Sequence, residues 1–198
     1  MNFTQERPKK ERFRFIKTFY FIRHGETDWN KNNLFQGKND IPLNENGRRQ
    51  AKLRAEKLPP ITSPIYFSSP LVRALETATI VTGKTESEII RIPEFMECDS
   101  PVAARTIMSL RESKTMPSTK YLRGHETVDD FFDRVAAGLE KVFQRSEGKT
   151  PVIFAHGGTG TAFCHLLKIP FFKIPNCHCV EFRKIGEKFK ALPQQFSA

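Results

Sequence analysis

The first apolar run, Lys17-Thr-Phe-Tyr-Phe-Ile22, shows no polar alternation after Thr18, which predicts a strand buried on both faces. It stops at Arg23, and a loop rich in Asn and Gly follows through Asn39. Asn44-Glu-Asn-Gly47 then opens a segment with Ala51, Leu53 and Leu58 at roughly helical spacing, ended by Pro59-Pro60. A short strand, Pro64-Ile-Tyr-Phe67, runs into Ser68-Ser-Pro70. Leu71, Ala74, Leu75 and Ala78 fall at i, i+3, i+4 and i+7, so Leu71 to Thr82 reads as a helix. Ile89-Ile-Arg-Ile92 is a third strand. Residues 98 to 123 follow no period and read as a cap or loop. From Thr127 to Arg145, Val128, Phe131, Phe132, Val135, Leu139, Val142 and Phe143 trace one helical face, with Gly148 just beyond its end. Pro151-Val-Ile-Phe-Ala155 is a buried strand leading into His156-Gly-Gly158 and a helix to Lys168. Cys177 to Phe182 and Lys188 to Leu192 read as a closing hairpin around Gly186-Glu187. Strands separated by helices predict an α/β fold, a three-layer sandwich with a mostly parallel central sheet flanked by helices. There is no internal repeat.

At 198 residues the chain suits a single domain. Its formal charge of +10 favours an acidic ligand, but part of the excess is local. Arg7, Lys9, Lys10, Arg12, Arg14 and Lys17 stand against only Glu6 and Glu11, so residues 1–16 read as a basic N-terminal extension to a domain at 17–198. Nucleic acid is therefore not the expected partner. Four cysteines, at 98, 164, 177 and 179, are too few and too irregular for a disulfide framework and suit a reducing, cytoplasmic setting. The longest stretch free of Asp, Glu, Lys and Arg, Thr150 to Leu167, holds Pro151, two histidines and three glycines, which speaks against a bilayer span. The N-terminus carries no continuous apolar run of the secretory kind.

In open parallel sheets the ligand site lies at the carboxyl ends of the strands. Three polar groups sit at those ends. They are Arg23-His-Gly-Glu-Thr27 with Asn30 beyond, Ser68-Ser-Pro-Leu-Val-Arg73, and His156-Gly-Gly158. Arginine offers a planar fork to phosphate oxygens, and a glycine-rich helix start adds backbone donors. A neutral imidazole beside such an oxyanion site can attack phosphorus and form a covalent phosphohistidine.

These motifs resemble the histidine phosphatase superfamily, also called the phosphoglycerate mutase-like family, over residues 19 to 192. The resemblance rests on Arg-His-Gly-Glu-Thr-x-x-Asn at 23 to 30, Gln36-Gly37, Pro-Leu-Asn-Glu-Asn-Gly at 42 to 47, Ser-Ser-Pro-Leu-x-Arg-Ala-x-Glu-Thr-Ala at 68 to 78, and His-Gly-Gly at 156 to 158. Glu126, Arg134 and Asn176 also fall where relatives place the same residue types. The resemblance implies that His24 is the nucleophile, that Arg23, Arg73 and His156 grip the phosphoryl oxygens, and that Asn30 adds a hydrogen bond. It adds Gln36, Gly37 and Gly157 as substrate-binding positions. The family's general acid is a glutamate after the third strand. Aligning Pro93-Glu-Phe-Met-Glu97 gives Glu97 this role, with Glu94 as competitor. Relatives continue with Gly and Trp-Glu-Gly where this chain has Cys98-Asp-Ser-Pro101, so Asp99 also stays open for proton transfer. No cofactor and no metal is implied.

Cys177-His178-Cys179 resembles half a metal site, but strand alternation sends the thiols to one face and the imidazole to the other, with no further ligand at zinc spacing. Packing thiols are the reading. His125 and His165 read as bystanders, and Phe13 and Phe15 belong to a solvated arm. Three functions remain: a metal-independent phosphatase of the histidine acid phosphatase type, a phosphoglycerate mutase-type transferase, and a non-catalytic module that holds phosphorylated ligands. Glu97 and His156 are 59 residues apart, short for the insertion with which a mutase encloses its substrate. An open pocket admits water, so hydrolysis of a small phosphorylated metabolite is the expectation.

Overall fold

A computed structural model of the chain describes residues 16–99 and 126–194. In chain order the elements are β1 (Phe19–Arg23), α1 (Asp28–Lys31), α2 (Glu45–Glu56), β2 (Pro64–Ser68), α3 (Val72–Thr82), β3 (Ile90–Arg91), α4 (Val128–Arg145), β4 (Thr150–Ala155), α5 (Gly157–Leu166), β5 (Cys179–Ile185) and β6 (Lys188–Pro193). Single 3₁₀ turns at Glu86–Glu88 and Pro93–Phe95 flank β3. The strands form one six-stranded sheet in the order β3-β2-β4-β1-β5-β6. The four strands from β3 to β1 run parallel, while β5 and β6 close the edge antiparallel.

The unbroken apolar sequence of β1 and β4 is explained by helices on both faces. Phe19 and Phe21 join Ile153, Phe163 and Phe182 under α4 and α5, where Phe131, Val135 and Leu139 complete the layer. Ile22, Val152 and Phe154 face the other way, onto Ala51 of α2 and Leu75, Ala78 and Val81 of α3. Phe163 is the hub of the aromatic layer. It meets Phe19, Phe21, Phe95 and Phe182 edge to face with centroids 5.4 to 5.9 Å apart, contacts worth about 0.5–1.5 kcal/mol each beyond area burial.

Local signals set the helix starts. Thr127 caps α4 through a reciprocal box with Asp130, and Asn44 caps α2 by accepting from the Gly47 N–H at 2.8 Å. The loop expected between Arg23 and Asn39 contains α1, whose four residues are held by a Thr27–Asn30 capping box. The third strand is shorter than its apolar run. Ile92 extends the ladder by one bond to Ser68, 2.8 Å, and Pro93 then starts the 3₁₀ turn that ends pairing. On α2 the buried face is Gly47, Ala51 and Arg54, with Leu53 only half-buried.

Cys177 and Cys179 do share one core, but not through strand alternation: Cys177 precedes β5 at a φ of +56° and His178 is half-buried beside them. Burial pushes both thiols up to about 12, as expected of packing residues. All four cysteines are buried, and none forms a disulfide among the described residues. Ile16 is fully buried in the core. The basic residues up to Arg14, Phe13, Phe15, His125 and, beyond Cys98 and Asp99, nearly all of the expected cap lie outside the described residues.

Candidate active site

Parallel pairing with Arg23 opposite Ala155 and Ser68 opposite Phe154 brings three strand ends to one sheet edge. The chain then turns out of the sheet under backbone control. The His24 N–H donates to the Ala155 carbonyl and the Ser69 N–H to the Phe154 carbonyl, both at 2.9 Å. His24, Ser69 and His156 thereby become neighbours, with the two imidazole centroids 5.3 Å apart.

His24 is 3% exposed, and its Nδ1 lies 2.7 Å from the Gly25 carbonyl. A carbonyl only accepts, so Nδ1 carries the hydrogen and Nε2 keeps its lone pair. Burial, then the Arg73 and Arg23 charges, hold the imidazole well below the ordinary histidine value despite the opposing bond to Gly25. It is an imidazole held toward its neutral form among cations, with an Nε2 lone pair available. The loop behind it is tied down by the Gly25 N–H donating to Thr77 Oγ1, 3.0 Å, while that hydroxyl donates to the Arg73 carbonyl at 2.6 Å.

Arg73, fully buried on α3, donates from Nη1 to the Asn39 carbonyl and from Nη2 to the Gly37 carbonyl, both at 2.8 Å. Two backbone acceptors fix the plane of the guanidinium, and its Nε is buried without a partner among the described residues. Burial lowers its affinity for the proton, while Glu97 and Asp40 pull it back. Arg23 Nη1 donates to the Ile174 carbonyl at 2.9 Å.

His156 is the N-cap residue of α5 and fully buried. Its Nε2 lies 2.8 Å from Ser69 Oγ, which also accepts from the Leu71 N–H at 3.4 Å. With that hydroxyl donating to Nε2, the ring's one hydrogen sits on Nδ1, which is buried without a partner among the described residues. Burial and, after it, the charges of Arg73, His24 and Arg23 keep this imidazole neutral as well. An unpaired buried donor costs on the order of 1–3 kcal/mol. Arg73 Nε and His156 Nδ1 together make a cradle that an oxyanion would satisfy. The first turn of α5, with Gly157 and Gly158, contributes the positive end of its dipole.

The three candidate acids separate clearly. Glu97 Oε2 accepts from the Gly158 N–H at 3.1 Å and Oε1 from the Cys98 N–H at 2.9 Å, which sets its carboxyl at the start of α5 beside His156. Glu94 is ion-paired with Lys141 on α4, away from the strand ends. Asp99 is half-exposed and 3.5 Å from Lys38. Asn30 accepts three bonds on Oδ1, from the Thr27 N–H and hydroxyl and from Asn176 Nδ2, leaving its own Nδ2 as the donor. Gln36 is buried with Oε1 unpaired among the described residues, and Gly37, at a φ of +52°, presents its carbonyl to Arg73. His165 packs on Phe132 at 4.7 Å on the exposed face of α5, outside the site.

In the turn at 174–178 sequence reasoning noted Asn176 as a residue type shared with relatives but missed the part the turn plays in the site. Its Cys177 N–H donates to the Arg23 carbonyl at 3.0 Å, Asn176 Nδ2 to the His24 carbonyl at 2.9 Å, and buried Arg54 holds the Cys177 carbonyl from behind at 2.9 Å. A signal was present: Gly47, Ala51 and Arg54 fall at i, i+4 and i+7, the spacing of a buried face.

The chain is similar to known proteins. The chain is 39% identical over 136 residues to an uncharacterized phosphatase, PhoE, of Bacillus subtilis (strain 168), covering 69% of each chain. It is 30% identical over 173 residues to a probable phosphoglycerate mutase, GpmB, of Serratia proteamaculans (strain 568), covering 80% of each. Among solved structures, the phosphoserine phosphatase of Entamoeba histolytica in complex with 3-phosphoglyceric acid superposes with a TM-score of 0.65 at 24% identity, over 92% of this chain and 98% of that one. The profile of the Histidine phosphatase superfamily (branch 1) matches residues 19–192, from the first strand to the last, and the chain belongs to that family.

Proposed function

We propose that the protein is a phosphomonoester hydrolase that works through a phosphohistidine on His24 and needs no metal. The observation that carries this reading is the tautomer of His24, fixed by its 2.7 Å bond to the Gly25 carbonyl so that a neutral Nε2 lies in a cradle of buried donors. The Nε2 lone pair attacks phosphorus and the bond to the leaving oxygen breaks. Glu97, in its acid form, gives that oxygen its proton. Water then attacks phosphorus, Glu97 takes the water's proton, and the N–P bond breaks to release phosphate and restore Nε2. Arg23, Arg73 and His156 Nδ1 supply the charge stabilisation, which is the basis for expecting metal independence.

Two features favour hydrolysis over mutase chemistry. The identity to the phosphatase relative, 39%, exceeds the 30% to the mutase relative, and only 59 residues separate Glu97 from His156. The phosphatase solved with 3-phosphoglyceric acid supports a small phosphorylated metabolite as substrate. The test is a quench of the enzyme with ³²P-labelled substrate in excess EDTA. An acid-labile, alkali-stable phosphoenzyme is expected, absent from His24→Ala; label retained on His24→Ala, or turnover abolished by EDTA, would overturn the reading. Phosphorus NMR of 3-phosphoglycerate with 2,3-bisphosphoglycerate separates the alternative, since a mutase would convert it efficiently to 2-phosphoglycerate.

A further inference from the structure

Glu97 reaches the site on a segment with almost no regular structure. It follows the two-residue β3 and one 3₁₀ turn, and helix α5 meets this segment through the Gly158 N–H on the carboxyl, the Thr159 hydroxyl on the Phe95 carbonyl at 3.4 Å and Phe163 against the Phe95 ring. Placement of a general acid matters, because a displacement of about 1 Å can cost on the order of 100-fold. A further constraint on the backbone either side of Glu97 comes from Arg134 of α4 and from Glu126. Arg134 Nη1 donates to the carbonyl of Glu94 at 2.8 Å and to that of Met96 at 2.9 Å, fixing the backbone immediately before Glu97. Glu126 binds the same guanidinium, Oε1 to Nε at 2.7 Å and to Nη2 at 2.6 Å. Its other oxygen accepts from the Asp99 N–H at 3.1 Å, fixing the backbone two residues after Glu97. The pair brackets the acid from both sides. It is mostly shielded, with side-chain exposures of 21% and 12%, and the Arg134 guanidinium lies 5.0 Å from the centre of the Phe131 ring on its own helix. Shielding raises the value of the ion pair, and the helix supplies rigidity.

We infer that Arg134 and Glu126 are positioning residues for proton donation: neither touches the phosphoryl group, and both act through the placement of the Glu97 carboxyl. This rests on Glu97 as the acid. The distinguishing property is dependence on the leaving group. An alkoxide needs the proton, whereas p-nitrophenolate leaves without much help, so a defect in acid placement discriminates between them and a general loss of structure does not.

The experiment measures the burst rate of His24 phosphorylation by phosphoserine and by p-nitrophenyl phosphate in the full-length wild-type protein, Glu97→Gln, Arg134→Gln, Glu126→Gln and the Glu97→Gln/Arg134→Gln double variant. Arg134→Gln and Glu126→Gln are expected to lower the phosphoserine rate relative to the p-nitrophenyl phosphate rate by about 10- to 100-fold. The double variant is expected to discriminate no more than Glu97→Gln alone, because one residue acts through the other. Equal losses on both substrates in Arg134→Gln and Glu126→Gln, or additive discrimination in the double variant, would overturn the proposal while leaving Glu97 as acid. If Glu97→Gln itself fails to discriminate, the acid assignment falls, and this inference with it. Should Arg134→Gln not fold, Glu126→Gln keeps side-chain size and an oxygen acceptor, and its ratio of the two burst rates decides the question alone.

Discussion

The imidazoles of His24 and His156 are chemically alike and differ in what holds them. A backbone carbonyl accepts from Nδ1 of His24 and leaves Nε2 a lone pair, while the partner of His156 Nε2 is the Ser69 hydroxyl, which by donating would leave the ring's hydrogen on Nδ1. On the proposed mechanism, the roles of nucleophile and oxyanion donor are therefore assigned by these partners. Ser69 is the handle on the second role. Ser69→Ala removes the bond that selects the His156 tautomer, and a neutral hydrogen bond is worth about 1 kcal/mol, so kcat/KM should fall roughly five- to tenfold with the phosphoenzyme still formed. An unchanged kcat/KM would show that Ser69 does not set the tautomer. At this scale the sequence displays groups better than their partners. Arg23, His24, Arg73 and His156 stand at strand ends in recognisable motifs. The orientation of the two arginines comes from the backbone carbonyls of Gly37, Asn39 and Ile174, a group that every residue type possesses. Gly158 is an exception that its motif does display. A Cβ there would sit 2.2 Å from Glu97 Oε1, so Gly158→Ala should act as a partial Glu97 defect, again selective for poor leaving groups in burst kinetics.

Elements were legible in proportion to how much of their burial came from their own side chains. Strands β1 and β4, covered on both faces, and α4, with a seven-residue apolar stripe, appear directly in the pattern. The four-residue α1 has no buried side chain and rests on one capping box, so the periodicity is silent about it. Strand β3 is cut by Pro93 because the chain must leave the sheet there to deliver Glu97. Helix α2 owes its place to backbone contact as much as to apolar packing. A Cβ at Gly47 would lie 2.1 Å from the Glu26 carbonyl oxygen, and one at Gly25 would lie 2.6 Å from the Gly47 carbonyl oxygen. Both obstacles are backbone and cannot rotate away, so the start of α2 and the nucleophile loop must move apart if either glycine gains a methyl group. Overpacking of this kind costs about 1–3 kcal/mol. Gly47→Ala should lower the urea midpoint accordingly and slow His24 phosphorylation, although residue 47 is not a ligand. A stability equal to wild type would show that α2 can withdraw without cost.

For the molecule as a whole, the site is a stability liability with a defined pH window. His24 and His156 are buried and held well below the ordinary histidine value, first by burial and then by the arginines. In the unfolded chain each titrates near 6.5. Below that pH the unfolded state takes up protons that the folded state refuses, so stability falls as pH falls, by up to about 1.4 kcal/mol per pH unit for each imidazole, until the folded values are reached. The carboxylates act elsewhere on the scale. Asp130 and Glu94 are lowered from ordinary values near 4, so what they contribute is kept above that range and lost only at more acid pH. Between pH 6.5 and 5.5 the buried histidines therefore dominate the slope. The formal charge of +10 also grows on acidification, but this self-repulsion is common to wild type and a His24 variant. Their difference isolates the imidazole. In phosphate-free buffer, urea unfolding of wild type should lose stability over this interval, and His24→Gln should lose it less steeply by up to about 1.4 kcal/mol per pH unit. Parallel lines for the two proteins would mean that His24 takes up its proton over the same pH range folded as unfolded, so that its surroundings do not hold the imidazole neutral. The same titration thus bears on the nucleophile assignment without measuring any turnover.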